Sequence, residues 1–407
     1  MKFGVFYELQ LARPWGEESE FRLYQDALSQ LELADRLGYD YAWVVEHHFL
    51  EEYSHSSAPQ VFLGAASQRT RNIRLGHGIV QLTTSHPAKV AARIAALDLL
   101  SDGRVEFGTG ESASVTELEP FGIPFEDKRA RWEDAIRCVI PMFADGGTEY
   151  HGTHFDFPAR AVLPKPRQKP HPPLWMACSQ LETIAYAGQR GMGALGFQFV
   201  SADAANAWVS AYYNGITKRL NKLADYQVNP NIALVSMFMC ADTDEEARAK
   251  ADGATFFQFA LRSYAANPGR RRAAPGEVNM WQEYLTWKRE NPEAAERALT
   301  SGLIGSPETL RRKLRKFETS HIDQVILLNQ AGKNRHEDIC ASLELFAKEV
   351  MGEFQEREPQ HQDWKRKVLA GEIQLEEVDT AAYNMASTQT PKAVAEQMAK
   401  GGAAARG

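Results

Sequence analysis

Short apolar runs alternate with longer amphipathic stretches from Met1 to about Met351. Lys2–Tyr7 reads as a first strand. In the next segment, Ser19–Leu37, Leu23, Ala27, Leu31 and Ala34 recur at helical spacing, and Gly38 supplies a usual helix stop. Tyr41–Val45 is a second strand, Pro59–Arg69 a helix and Ile73–Val80 a third strand. Pro87 falls near the first turn of a helix over Ala88–Leu100, where its missing N–H costs nothing. The turn Ser101-Asp102-Gly103 leads into a fourth strand, Arg104–Gly108, and a helix follows over Lys128–Phe143.

The regularity then breaks. Thr148–Pro173 is rich in proline, glycine and aromatics and reads as an excursion. Leu174–Ala177 and Ala194–Phe197 are the fifth and sixth strands, with a helix ending near Arg190 between them. A helix over Ala202–Leu220 and a seventh strand, Asn231–Cys240, come next. Asn267–Ser301 is polar and basic, includes Arg270-Arg271-Arg272, and reads as a long mobile insertion. Ser306 is placed to cap a helix with Pro307 in its first turn. Asp323–Leu328 is the eighth strand and Glu337–Val350 the last core helix.

Eight strand-then-helix units predict a parallel sheet, most simply closed as a (β/α)8 TIM barrel. An open doubly wound sheet is the alternative, but the GxGxxG fingerprint after the first strand is absent. The barrel is assigned to residues 1–352. The charge-dense stretch from Glu353 and the low-complexity end at Gly401–Gly407 form an extension, 353–407, that wraps the surface, packs on a partner subunit or frays.

Composition narrows the class. At 44% hydrophobic and 24% charged residues the chain is an ordinary globular protein. A net charge of −7 makes no electrostatic case for nucleic acid. No apolar run approaches the ~20 residues that span a bilayer, and the N-terminus runs straight into a strand without a signal-peptide layout. Cys138, Cys178, Cys240 and Cys340 are far apart and form no CxxC, which fits a reduced cytoplasm without disulfides or zinc.

The strongest chemical signal is Ala42-Trp43-Val44-Val45-Glu46-His47-His48-Phe49. An apolar strand ends here in an acid, two histidines and an aromatic, at the end of a barrel strand where chemistry sits. Histidine exchanges protons near neutral pH. One histidine alone reads as structural; two adjacent ones shift the reading toward chemistry, with His47 and His48 as candidates. Glu46 either orients a histidine or pairs with a basic group inside the barrel. Adjacent residues on a strand end point to opposite faces and no third ligand is evident, so no metal is expected. Thr109 and Gly110, in Gly108-Thr109-Gly110-Glu111-Ser112, end the fourth strand with small residues that let backbone approach a cofactor. Cys178 and Ser179 lie between the fifth strand and its helix, whose free N–H groups suit a phosphate; Ser179 alternatively caps that helix. Cys178 has no adjacent base and reads as core packing.

Several segments together resemble the bacterial luciferase-like flavin-dependent monooxygenase superfamily. They are MKFGVFYELQ, LGYDYAWVVEHHF, RLGHGIVQLTTSHP, LDLLSDGRVEFGTGES, ELEPFGIPFEDKRARWED and HIDQVILLNQAGKNRHEDICASLELFAKEVM. The resemblance implies a TIM barrel that dimerises, binds reduced FMN from a separate NAD(P)H:flavin reductase, and uses O2 through a C4a-peroxyflavin to oxidise a small aldehyde, ketone or similar molecule. It matches His47 to the family's catalytic base and Ser179 to a phosphate-binding serine. It sets Gly78 and Ile79 beside the flavin ring, at a bond that is cis in some members, and makes the 267–301 insertion a mobile lid. Glu111 stands where luciferase has a phosphate-binding arginine and would repel phosphate unless paired. Gly110 replaces luciferase's cysteine, so light emission is not implied. Glu117 and Glu119 either hold the loop or touch substrate. Two further readings are an F420-dependent hydride-transfer enzyme and a non-catalytic flavin-binding subunit; retention of His47 argues against the second.

Overall fold

A computed structural model describes residues 1–112, 114–197, 205–266 and 274–379, the side chains of 265–266 excepted. Eight parallel strands close into a barrel: β1 (Lys2–Tyr7), β2 (Tyr41–Val44), β3 (Arg74–His77), β4 (Val105–Gly110), β5 (Leu174–Cys178), β6 (Gly193–Gly196), β7 (Ile232–Cys240) and β8 (Gln324–Gln330). Each pairs with its neighbours in order, and β8 returns to β1 with Phe3 opposite Val325. The helices that cover it are α1 (Ser19–Leu37), α2 (Pro59–Arg69), α3 (Pro87–Leu100), α4 (Lys128–Val139), α5 (Leu181–Arg190), α6 (Ala205–Arg219), α7 (Pro307–Thr319) and α8 (His336–Phe346).

The strand periodicity of two divides the core into an outer and an inner layer. Phe3, Val5 and Tyr7 of β1 pack outward with the helices, while Phe6 joins Trp43, Trp175, Ile326 and Leu328 inside. Trp43 and Trp175 meet edge to face at 5.2 Å between ring centres. They fit because glycine lies opposite: a Cβ on Gly76 would overlap the Trp43 ring, and one on Gly193 the Trp175 ring. Barrel interiors are filled this way, by layers of side chains. Gly76→Ala is expected to destabilise the barrel by about 1–3 kcal/mol through overpacking, read as a lower urea midpoint; an unchanged midpoint would mean the indole has room to move.

The third strand stops at His77, and Val80–Gln81 pairs separately with β4, which itself runs to Gly110. The helix from Lys128 tightens to a 3₁₀ turn at Ile140–Phe143, where Pro141 falls. The excursion contains a hairpin of Thr148–His151 with Asp156–Arg160. The insertion differs most from expectation. Its described part holds helices Met280–Glu290 and Pro292–Ser301, with Met280 and Tyr284 buried against the helix Asp252–Ala266. Glu52 accepts hydrogen bonds from the N–H groups of Met280 and Trp281, tying this unit to the loop after β2. Residues Asn267–Arg272, with the three arginines, lie outside the described residues.

The extension begins as part of the barrel. Phe354, in the short helix Gly352–Glu356, is fully buried near Phe3. The helix Glu358–Leu369 closes the N-terminal end of the barrel, where His361 and Lys365 reach Asp323 at 2.7 and 3.0 Å. Residues from 380 onward lie outside the described residues. Among the described residues no helix is long and apolar enough to cross a membrane.

Candidate active site

The C-terminal ends of β1 to β4 bring the candidate chemistry together. Glu8 directly follows β1 and continues the inward parity of Phe6. His47 faces two carboxylates: its Nδ1 lies 2.9 Å from Glu117 Oε1 and its Nε2 lies 3.2 Å from Glu8 Oε1. The first contact is a hydrogen bond; in the second the Glu8 oxygen is buried and accepts none. Glu117 sits on the single turn Val115–Leu118 after β4. It also accepts from Gln81 Nε2 at 2.6 Å, the His48 N–H at 3.1 Å and the Ser112 hydroxyl at 2.9 Å. Glu46 orients His48 through a 3.1 Å contact and accepts the Gln81 N–H at 3.2 Å. Gln81 thus braces the β2 and β4 loops against each other.

The charges follow from this packing. Burial disfavours the His47 cation, but Glu117 and Glu8 outweigh it and raise its pKa to about 9. Burial raises Glu8 to about 7, with His47 pulling it back and Glu117 pushing it further. Glu117 is held below the usual carboxylate range, since His47, Gln81 and the His48 N–H overcome its burial. The packing thus favours the His47 cation and the Glu117 anion and disfavours the anion of Glu8.

Backbone strain gathers in the same place. Leu9, Phe49 and Ser112 have φ of 52°, 64° and 62°, left-handed values that non-glycine residues rarely adopt. They lie in the loops leaving β1, β2 and β4. Strained residues persist where the surrounding fold over-determines them, as functional sites do. At the rim Phe49, 55% exposed, and Phe121, 42% exposed, pack near His48.

The structure sorts the other candidates. Gly78 and Ile79 follow β3 at this mouth, with the Gly78 N–H donating to the Val44 carbonyl. Their bond is trans; the cis peptides among the described residues all precede proline. A Cβ on Gly110 would sit 2.7 Å from Ile79 Cγ1, so glycine lets these segments close up. Thr109 points the other way. Its hydroxyl donates to the Trp175 carbonyl and accepts from Trp132 in the helix layer, so its side chain does not reach the mouth. Cys178 likewise packs outward, its thiol directed at the Met176 and Thr183 carbonyls and its pKa pushed well up by burial. His77 is buried in the same outer direction, and burial lowers it to about 4.

Ser179 is exposed and precedes Gln180, which caps α5; the Thr183 hydroxyl accepts the Gln180 N–H. The capping role expected for Ser179 therefore falls to its neighbour. Glu111 is paired, with Arg129 at 2.7 Å and Lys128 at 3.8 Å. Arg129 also lies 4.7 Å over the Tyr186 ring, bridging α4 to α5. Sequence reasoning missed Glu8, Gln81 and Arg129. Glu8 had one signal, a carboxylate on the inward parity just past a buried strand.

Comparison with known proteins places the chain among flavin- and F420-dependent barrels by sequence and fold. A flavin-dependent trigonelline monooxygenase, oxygenase component, from Acinetobacter baylyi is 26% identical over 363 residues, 88% of this chain and 96% of that protein. The oxygenating constituent of 3,6-diketocamphane monooxygenase from Pseudomonas putida, solved with FMN, superposes with a TM-score of 0.67 at 18% identity, covering 86% of this chain and 98% of that one. The F420-dependent tetrahydromethanopterin reductase of Methanopyrus kandleri gives a TM-score of 0.64 at 18% identity, covering 87% and 99%. At such identities the two structures carry the fold alone. The sequence profile of the luciferase-like monooxygenases matches residues 1–324, and the barrel closes as that fold requires: this chain belongs to the luciferase-like monooxygenase family.

Proposed function

We propose that the protein is the oxygenase component of a two-component system, a homodimer in the cytoplasm that takes reduced FMN from a separate NAD(P)H:flavin reductase and oxidises a small organic molecule with O2. The observation that carries this reading is the protonatable His47 held between two carboxylates at the barrel mouth.

The residues present fit FMN. Gly78, Ile79 and Gly110 form a close-packed edge for a flat ring, with no side chain on either glycine. Ser179, the backbone at the start of α5, and Arg129 are the groups placed to hold the phosphate. Arg129 and Lys128 together outweigh Glu111 by one charge, which answers the repulsion expected from that carboxylate. Bound reduced FMN supplies the electrons that activate oxygen. The protein orients it, excludes water with Phe49 and Phe121, and manages a proton at His47.

Ser179→Ala is expected to weaken FMN binding only slightly, because backbone donors remain. Arg129→Ala removes a charge-assisted partner worth about 1.5–3 kcal/mol, so affinity should fall by roughly tenfold or more. Equilibrium titration of reduced FMN under anaerobic conditions measures both; equal and negligible changes would move the phosphate elsewhere. Oxygenation that draws on protonated His47 should hold through neutral pH and fall above about 9.

The deciding test mixes the protein with reduced FMN anaerobically, adds oxygen and follows flavin absorbance by stopped flow. A long-lived absorbing species supports the oxygenase reading. Reoxidation at the rate of free FMN overturns it and turns attention to hydride transfer with F420, the cofactor of a glucose-6-phosphate dehydrogenase from Amycolatopsis mediterranei that is 25% identical over 166 residues, 39% of this chain and 49% of that protein.

A further inference from the structure

Both ring nitrogens of His47 are engaged inside the protein. Nδ1 bonds Glu117 and Nε2 faces Glu8. An imidazolium has two donors and no acceptor, so it can take up a proton only after it has given one away. The two carboxylates differ as destinations. Glu117 accepts from His47, Gln81, the His48 N–H and Ser112, so four donors hold its ionised form. Glu8 is 2% exposed, and its Oε1 accepts no hydrogen bond. A buried carboxylate oxygen with no donor is costly to keep charged, and a proton relieves that cost.

We propose that Glu8 is a positioning residue that stores a proton for His47. The N–H bond at His47 Nε2 breaks and an O–H bond forms at Glu8 Oε1. The pair passes from cation and anion to two neutral groups, with no electron gained or lost. The imidazole keeps its Nδ1 hydrogen bond to Glu117, and its Nε2 lone pair faces the Glu8 hydroxyl. In reverse, Glu8 recharges His47 as an acid. The near-neutral pKa that burial gives Glu8 fits a carboxyl that holds a proton part of the time. The groups facing the pair are Glu117, Glu46 and Tyr53, whose ring centre lies 5.4 Å from that of His47. This inference rests on the acid–base role proposed for His47.

The test uses the full chain without flavin, labelled in histidine nitrogen and glutamate carboxyl carbon, titrated by NMR; the His47 signals are assigned by their loss in His47→Gln. In the wild type the Glu8 carboxyl and the His47 Nε2 are each expected to report the other's titration, with steps near 7 and 9 visible in both signals. In Glu8→Gln the His47 midpoint should drop by about one unit or more, as expected on losing a carboxylate at this distance. An unchanged His47 midpoint overturns the proposal. So does a Glu8 carboxyl that titrates independently of His47 in the wild type. No flavin or oxygen takes part, so loss of the proton store leaves the oxygenase reading standing, and failure of oxygenation leaves the titration result intact.

Discussion

His47→Ala is expected to cut substrate oxygenation by about 10²–10⁴-fold, the usual range for a lost general acid or base, while changing flavin affinity by only about a few-fold. The asymmetry follows from position. His47 contacts Glu8, Glu117 and Tyr53, whereas the elements proposed for the phosphate, Ser179, the start of α5 and Arg129, lie beyond β4. Turnover, peroxide release and anaerobic flavin titration on one preparation measure the split. Oxygen consumption should persist as peroxide while product disappears. A parallel loss of flavin binding and turnover would show that His47 holds the loop together. Removing the cation also leaves Glu8 and Glu117 facing each other, so Glu8 should stay protonated in the variant.

Asp323→Ala is expected to be the most destabilising single change, about 3–5 kcal/mol, because it strands a buried partner. The carboxylate is 4% exposed and accepts from His361, Lys365, the Tyr213 hydroxyl and the Ile232 N–H, all within 3.0 Å. Without it, the Lys365 ammonium remains buried against Asn231 alone. Burial pushes the Asp323 pKa up, but Lys365 and His361 outweigh it and hold the group at about 2. An unfolded aspartate titrates near 3.9. The carboxylate's contribution is thus complete above pH 4 and lost as pH falls through 2, on the order of 2 kcal/mol. Urea midpoints against pH should show that acid limb in the wild type and not in the variant. An identical limb in both would assign acid sensitivity to other carboxylates.

How far the chain could be read without coordinates depended on the range of the interactions. β1 and β2 were legible because a run such as Tyr41–Val44 is apolar and bounded by turn residues. The helices Met280–Glu290 and Pro292–Ser301 were not, because the charge of the surrounding stretch masked their spacing; the i,i+4 pair Met280 and Tyr284 and the N1 proline Pro292 were the available signs. Glu46, His47 and His48 were legible because they are contiguous. Their partners were not: Glu117 reaches His47 across 70 residues, and Glu8 faces it from the end of β1. Thr109 and Gly110 show a different limit. They are adjacent in sequence, but strand parity turns one to the helices and leaves the other at the mouth, and the residue types alone do not fix that parity.

The paired indoles inside the barrel give the protein a built-in optical reporter. Trp43 lies under the mouth, its Cβ 3.5 Å from where a side chain on Gly78 would begin. An isoalloxazine absorbs where indole emits, so a flavin seated against Gly78 should quench Trp43 by energy transfer more strongly than the more distant tryptophans. The part of the quenching lost in Trp43→Phe would then report occupancy of the mouth in real time, without labelling and before any substrate is known.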